Sequence, residues 1–266
     1  MFAPERKKRI KEIVLEQKQI EVSQLSKILD VSDVTIRRDL EKLEKELFLT
    51  RTYGGAFLNE QDDVSLSYSV PKNPEETEEA QIYNEIGSSA RYLVEDNASV
   101  IIGPGRAGVF IARHLKAKKN LRIITTDLNV IEELTSDYTG NSKMVFIGGD
   151  IDPATRQASG PISTMILSNL NVDVAFVEMD GIVIDKGYYV DSYDKATVID
   201  QVMKISKETI AVCADPRFGQ TSFFFLNSLG TFKKVLSSAA IPNQFKEYYF
   251  DNDIKLYTSL DLLKKI

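Results

Sequence analysis

Apolar residues recur with a helical period in the first sixty positions and in short strand-like runs after position 98. Ile36, Leu40, Leu43 and Leu47 fall at i, i+4, i+7 and i+11, which predicts a helix with one buried stripe. Ser32 is a good N-cap for it, and Asp33 suits the positive end of the helix dipole. The opposite arc carries Val34, Arg38, Lys42 and Lys45, flanked by Thr35 and Arg37. Ahead of it lie a basic helix over residues 6–17, with Ile10, Ile13 and Val14 inward, a short helix over 23–30, and a tight Val31-Ser32 turn. Residues 49–52 alternate like a strand, and Gly54-Gly55 make a turn where backbone can approach a phosphate closely. Helix, short helix, turn, exposed cationic helix and small β wing is the order of a winged helix-turn-helix.

Residues 59–73 are polar, lack a sustained period and read as a linker. Asn73 and Pro74 form a helix start signal, and the helix after them carries Ile82, Ile86, Ala90 and Leu93 inward. Strands over 99–102, 122–126, 143–147, 172–177 and 209–214 then alternate with helices over 109–118, 129–136, 163–169 and 197–206. Late strands follow at 235–237 and 254–257, and Phe223 to Leu226 form a strand or an interface piece. The fold class is α/β: a small N-terminal winged helix-turn-helix domain (1–58), the linker (59–73), and a larger parallel-rich α/β domain (74–266) covered on both sheet faces.

Charge is divided unevenly. Residues 1–58 carry 12 Lys and Arg against 10 Asp and Glu, whereas the rest carries 21 against 29, for a net charge of −6. An acidic body repels a polyanion, so DNA binding rests on a few well-placed contacts and on two heads engaging together. No apolar run is long enough to cross a bilayer, and no basic-apolar leader opens the chain, so no membrane partner is expected. The single cysteine, Cys213, sits in an apolar run as a small buried hydrophobe and makes the cytoplasm the natural setting. His114 is the only histidine and reads as a surface or helix-packing residue, so no metal site is expected. The pairs Asp180 with Asp185 and Asp191 with Asp194 lack an accompanying nucleophile and base, and no catalytic role or cofactor is expected. Lys233 and Lys234 read as solvated surface.

The expected partner of the head is double-stranded operator DNA. Ser32, Val34, Thr35, Arg37, Arg38 and Lys42 on the helix, with Arg51, Tyr53 and Gly54 on the wing, are the candidate contacts. Paired heads must match paired half-sites, which predicts a homo-oligomer, a dimer or tetramer.

At these residues the chain resembles the DeoR family of bacterial regulators. The motif Ser-x-x-Thr-Ile-Arg-Arg-Asp-Leu is present as Ser32, Thr35, Ile36, Arg37, Arg38, Asp39 and Leu40, followed by a wing ending in Gly54, Gly55 and Ala56. Further along, Val145 to Gly149, Ser159-Gly160, Asp173 to Phe176, Asp180 to Ile182 and Gly187 fall in that family's order. The resemblance implies a transcriptional repressor, not an enzyme. Its second domain would resemble ribose-5-phosphate isomerase and CoA transferases and sense an anionic metabolite, most often a phosphorylated sugar of a carbohydrate operon.

Ligands of open α/β sheets bind beyond the carboxyl ends of the strands. The candidate effector residues there are Gly103, Gly105, Arg106, Thr126, Asp127, Gly149, Asp180, Asp215 and Arg217. The pocket departs from the family's Asp-x-Gly-Thr-Thr, Thr-Asn, Val-Lys-Arg and Asp-x-Ser-Lys-Phe-Gly patterns. It has Gly103-Pro-Gly-Arg-Ala107, Thr126-Asp127, Val198-Ile-Asp200 and Asp215-Pro-Arg-Phe-Gly219 instead. Lysine and hydroxyl donors are thereby exchanged for Arg106 and Arg217, whose guanidinium forks suit phosphate or carboxylate. Two alternatives stay open. Gly103-x-Gly105-x-x-Gly108 with Asp127 is also the local pattern of a dinucleotide site, so the sensor could read a nicotinamide cofactor. The second is a sugar-phosphate isomerase-type enzyme with an accessory DNA-binding head.

Overall fold

A computed structural model describes residues 3–17, 19–45, 49–51, 55–58 and 77–259. They belong to two compact units, residues 1–64 and 65–266. The expected linker, Asn73, Pro74 and Leu47 lie outside the described residues.

The first unit runs α1 (Ala3–Gln17), β1 (Gln19–Glu21), α2 (Val22–Leu29), α3 (Asp33–Lys45), β2 (Leu49–Arg51) and β3 (Gly55–Leu58). The helical stripes meet as expected: Ile10, Val14, Leu25, Ile36, Leu40, Leu43 and Leu49 form one buried cluster. Arg6 Nε donates to Asp39 Oδ2 at 2.6 Å, tying α1 to the middle of α3. The turn between α2 and α3 is closed by Asp30 in the left-handed region (φ 51°), a conformation a short Asp side chain tolerates. Ser26 closes it further, donating its hydroxyl to the Val31 carbonyl at 2.6 Å while its own carbonyl accepts from Val31 N.

Strand β1 is a departure from the sequence expectation. Three residues with one apolar side chain show no alternation, and only pairing with β3, Ile20 opposite Ala56, makes them a strand. The wing is therefore three-stranded and antiparallel, in the order β1-β3-β2. Gly55 accordingly serves packing: a Cβ there would run into the Ile20 carbonyl.

The second unit begins, among described residues, with α4 (Glu78–Ala90), capped by the Thr77 hydroxyl. It continues through β4 (Ser99–Ile102), α5 (Arg106–Leu115), β5 (Arg122–Thr125), α6 (Leu128–Thr135), β6 (Lys143–Phe146), β7 (Asp150–Asp152) and β8 (Gln157–Ser159). Then come α7 (Gly160–Leu167), β9 (Val172–Glu178), β10 (Gly181–Val183), β11 (Gly187–Val190), α8 (Tyr193–Ile205) and β12 (Ser206–Cys213). The last described elements are β13 (Phe224–Asn227), β14 (Lys234–Ser237), α9 (Asn243–Asp251) and β15 (Lys255–Tyr257). Seven strands form one sheet in the order β15-β14-β12-β9-β4-β5-β6, with every pairing parallel. Successive β4 residues face opposite sides, Val100 and Ile102 into one apolar cluster and Ile101 into the other, so both faces are covered.

Helix starts differ from the periodic reading because the backbone turn or cap ahead of the first apolar position sets them. Helix α8 begins at Tyr193 because the Ser192 hydroxyl accepts from Lys195 N, four residues before the start expected at Thr197. Helix α5 begins at Arg106, straight after Gly105 at φ +136°, three residues before the start expected at Val109. Helix α7 likewise starts at Gly160, ahead of Ser163. The small antiparallel sheet β10-β11-β13 absorbs Phe224 and leaves Phe223 and Phe225 exposed. Strand order reverses direction between β4 and β9, and a crevice opens beyond the carboxyl ends of those two strands.

Candidate functional site

On α3 the amphipathic split separates scaffold from contact surface. Ile36, Leu40 and Leu43 are fully enclosed, while Val34 (62% exposed), Arg37, Arg38 and Lys42 face outward. Ser32 caps the helix, its hydroxyl accepting from Thr35 N at 3.4 Å and sharing a hydrogen bond with the Thr35 hydroxyl at 3.0 Å. The cap thus already engages two of the residues expected to meet DNA. One helix face then presents three cations and a valine methyl pair, which suits phosphates and base edges. Arg51 contributes backbone to β2; its side chain, that of Lys45, and all of Tyr53 and Gly54 lie outside the described residues.

In the α/β unit the glycine loop spans the crevice between β4 and β9. Gly103 N donates to the Phe176 carbonyl at 2.8 Å, and a Cβ at 103 would meet that same carbonyl. Gly105 N donates to Asp127 Oδ2 at 3.1 Å, and Ala107 N to Glu178 Oε2 at 2.7 Å. Asp127 is 0% exposed, and its other oxygen accepts from both the backbone and the side chain of Asn129. Burial raises its pKa while those bonds oppose the rise. A carboxylate enclosed in this way is not offered to a ribose, and the dinucleotide pattern is here a packing device. Gly149 is likewise a packing position, since a Cβ would strike the Ser159 carbonyl and the Ser163 hydroxyl.

The guanidinium groups are partly committed. Arg106 pairs with Glu79 at 2.7 Å and lies over the Tyr83 ring. Arg217, in the turn after β12, lies near the Tyr83 hydroxyl and directs its charge toward Glu178. Glu178 is the group the sequence reading missed. It is 5% exposed at the end of β9, and burial, opposed by the charge of Lys195, pushes its pKa to about 7. Lys195 was missed as well: its ammonium is 1% exposed and donates to Asp180 Oδ2 at 2.7 Å. The sequence signals were a carboxylate closing the apolar run Val174 to Val177 and a lysine three residues after an N-cap serine. A buried lysine donor is therefore present in a region where the motifs suggested lysine had been lost.

Beside the loop lies a cleft of about 250 Å³, walled by Pro104, Asp152, Gln157, Ser159, Asp191, Asp194 and Lys195. None of the nine expected effector residues lines it; Asp180 reaches it through Lys195, and Gly105 through Pro104. Arg106 Nε, Gln157 Nε2, Thr126 Oγ1 and Asp215 Oδ1 are among the buried side-chain atoms without a hydrogen-bond partner. A larger cleft of about 720 Å³ lies at the opposite, amino-terminal end of the sheet. Several of its charges are paired, Asp173 with Lys207 and Ser99, and Lys234 with Glu208. Lys234 also lies over Tyr257, so it is not the solvated surface residue expected. His114 packs between α5 and α4, its Nε2 within 2.9 Å of Asn84 Oδ1, and Cys213 is fully buried, both as expected. No metal-binding cluster occurs among the described residues, and none of their helices is long and apolar enough to cross a membrane.

A three-stranded wing with an exposed cationic helix, joined to a parallel α/β unit with a strand-end cleft, defines a winged helix-turn-helix protein with an α/β C-terminal domain. The chain belongs to the DeoR family: residues 6–62 match the DeoR-like helix-turn-helix domain and residues 78–239 the DeoR C-terminal sensor domain. It is 25% identical over 256 residues to the uncharacterized HTH-type transcriptional regulator YgbI of Escherichia coli K12, covering 96% of this chain and 98% of that protein. It is 29% identical over 244 residues to the HTH-type transcriptional repressor GlcR of Bacillus subtilis 168, covering 92% and 91%. To the lactose phosphotransferase system repressor of Streptococcus mutans it is 27% identical over 234 residues, covering 86% and 90%. These relatives are named as regulators and repressors, not as enzymes. Among solved structures, ribose 5-phosphate isomerase A of Methanocaldococcus jannaschii is similar over 52% of this chain and 54% of that one, at 14% identity and a TM-score of 0.37, too slight to bear on function.

Proposed function

We propose that this protein is a sequence-specific DNA-binding transcriptional repressor whose α/β unit binds a small metabolite in the 250 Å³ cleft. The observation that carries the reading is the split of α3 into an enclosed apolar stripe and an exposed row of Val34, Arg37, Arg38 and Lys42. Arg38 would read a guanine edge, Val34 a thymine methyl, and Lys42 a phosphate. The wing residues Arg51, Tyr53 and Gly54 would add backbone contacts.

Control by a sugar-related compound would accord with the name of one relative, the lactose phosphotransferase system repressor. The cleft volume, below the roughly 300–1,000 Å³ of drug-sized ligand sites, suits a single small metabolite. Ligand would act by binding one arrangement of the sensor units better than another, which shifts the pairing of the heads. A homo-oligomer supplies the paired heads, and the exposed Ile162, Met165 and Ile166 of α7 support such an association.

The test is a gel shift of the purified full chain on DNA from upstream of its own gene, against random competitor. A preference for that fragment, lost in Arg38→Ala, supports the reading. Equal retention of random DNA, with or without added sugars, removes it.

A further inference from the structure

We propose that the Glu178 carboxyl group permanently fills the anion seat of the glycine loop, so that the neighbouring cleft takes a hydroxyl-rich ligand bearing no phosphate. The proposal rests on the reading of that cleft as the effector site, and it specifies the chemistry of what enters it.

A glycine loop that opens a helix binds phosphate by leaving its N–H groups free and its backbone uncovered. Here neither condition holds. The N–H groups of Gly103, Gly105 and Ala107 are already bonded to the Phe176 carbonyl, Asp127 and Glu178. Gly105 adopts φ +136°, and the space its missing Cβ leaves is occupied by the Glu178 carboxyl group itself. An intramolecular carboxyl group held on a sheet strand needs no association entropy, so a free phosphate competes with it at a disadvantage. Two of the cations that would have neutralised a phosphate are ion-paired, Arg106 with Glu79 and Lys195 with Asp180, and the third, Arg217, directs its charge toward Glu178.

The cleft wall points the same way. It presents Asp152, Asp191 and Asp194 against a single lysine that is already paired. Such a wall repels an added dianion and accepts hydrogen bonds from hydroxyl donors. Gln157 Nε2, buried and unpartnered, offers one donor to a ligand oxygen. A polyol or free aldose matches this combination of acceptors with one donor, whereas its phosphate ester does not.

The experiment compares full-length wild type, Glu178→Gly and Glu178→Ala in titration calorimetry and thermal melting. The probes are inorganic phosphate, glucose 6-phosphate, and a panel of free hexoses, pentoses and alditols. Inorganic phosphate at about 10 mM should leave the wild-type melting temperature unchanged. Both variants, which empty the seat and free Ala107 N–H, should bind it at least about tenfold more tightly than wild type. At least one free sugar or alditol should stabilise wild type. Saturable wild-type binding of phosphate or glucose 6-phosphate, unchanged or weakened in the variants, overturns the proposal and leaves the cleft reading intact. Should either variant fail to fold, the wild-type titrations alone still decide it. Phosphate gained by the variants, with no free sugar stabilising wild type, refutes the effector-cleft reading and the hydroxyl-rich ligand while the filled seat survives.

Discussion

The two units hold their chemistry in opposite ways. On α3 the functional atoms lie on one helix within nine residues, and what points outward is free to meet a partner. At the crevice of the α/β unit, the loop, Asp127, Glu178 and Lys195 come from four separate elements, and they mostly satisfy one another. The residue types alone suggest an anion site in both places. The difference is in occupancy: exposed cations on a helix face remain available, whereas a buried polar group must be paired before any ligand arrives.

The largest effect expected from this contrast is structural and lies inside the head. Asp39 belongs to the motif that resembles a DNA reader, yet it is 2% exposed and bonded to Arg6. Asp39→Ala should cost about 3–5 kcal/mol, the usual penalty for removing one partner of a buried ion pair. In a unit of this size that is a large share of the total stability. Separate calorimetric transitions should show the head's melting lost or lowered and that of the α/β unit unchanged. An Asp39→Ala head that melts as wild type but fails to bind DNA would instead make Asp39 a contact residue.

The second effect belongs to the crevice. Glu178 has a pKa near 7 in the fold, against 4.5 for an ordinary glutamate, because burial disfavours its charge more than Lys195 supports it. The folded state therefore holds a proton that the unfolded state releases first, and stability is greater below pH 4.5 by this term and declines as pH rises toward 7. The full swing is about 3 kcal/mol. Glu178→Gln should flatten that part of the stability–pH profile in urea titrations. A slope that persists in the variant assigns it to another group.

How much of this was legible in the sequence follows from how local each signal is. The α3 stripe, its Ser32 cap and the alternation of strands with helices are set by neighbours three or four positions apart. They can be read without tertiary structure. Strand β1 is made by a partner some thirty-six residues away, and Ile20 carries no mark of it. Glu178 is 71 positions from its bond at Ala107, and Lys195 is 15 from Asp180. Nothing local shows that Gly105 makes room for a carboxyl group of the same chain, so the loop reads as a phosphate or dinucleotide seat. Arg106 and Arg217 read as available forks for the same reason, because Glu79 and Tyr83 are brought to them only by the packing of α4.

The third effect sharpens the head's side of the comparison. Arg38→Ala removes an exposed guanidinium and no core contact, so the head's melting should stay within about 0.5 kcal/mol of wild type. Operator affinity should fall by about 1–3 kcal/mol, with specificity relaxed at one base pair. Lys42→Ala should weaken binding to all sequences alike and lower the salt slope by about one. If instead Arg38→Ala leaves affinity and footprint unchanged, the exposed face of α3 is a solvated surface and the contacts lie elsewhere.

The smallest effect separates two roles that one residue combines. Ser32 caps α3 through a long bond of 3.4 Å to Thr35 N, and its hydroxyl is also paired with the Thr35 hydroxyl. Losing a cap costs about 0.5–2 kcal/mol, and the length of this bond places Ser32→Ala near the lower end. Ser32→Asp keeps a capping oxygen and adds favourable charge to the helix N-terminus, yet it sets a negative charge beside Thr35 where DNA phosphates would approach. A purely structural Ser32 predicts that Ser32→Asp restores both stability and DNA binding. A Ser32 at the DNA surface predicts recovered stability with affinity reduced further than in Ser32→Ala. Melting curves and gel shifts on the two variants together decide which of the roles the first turn of α3 assigns to it.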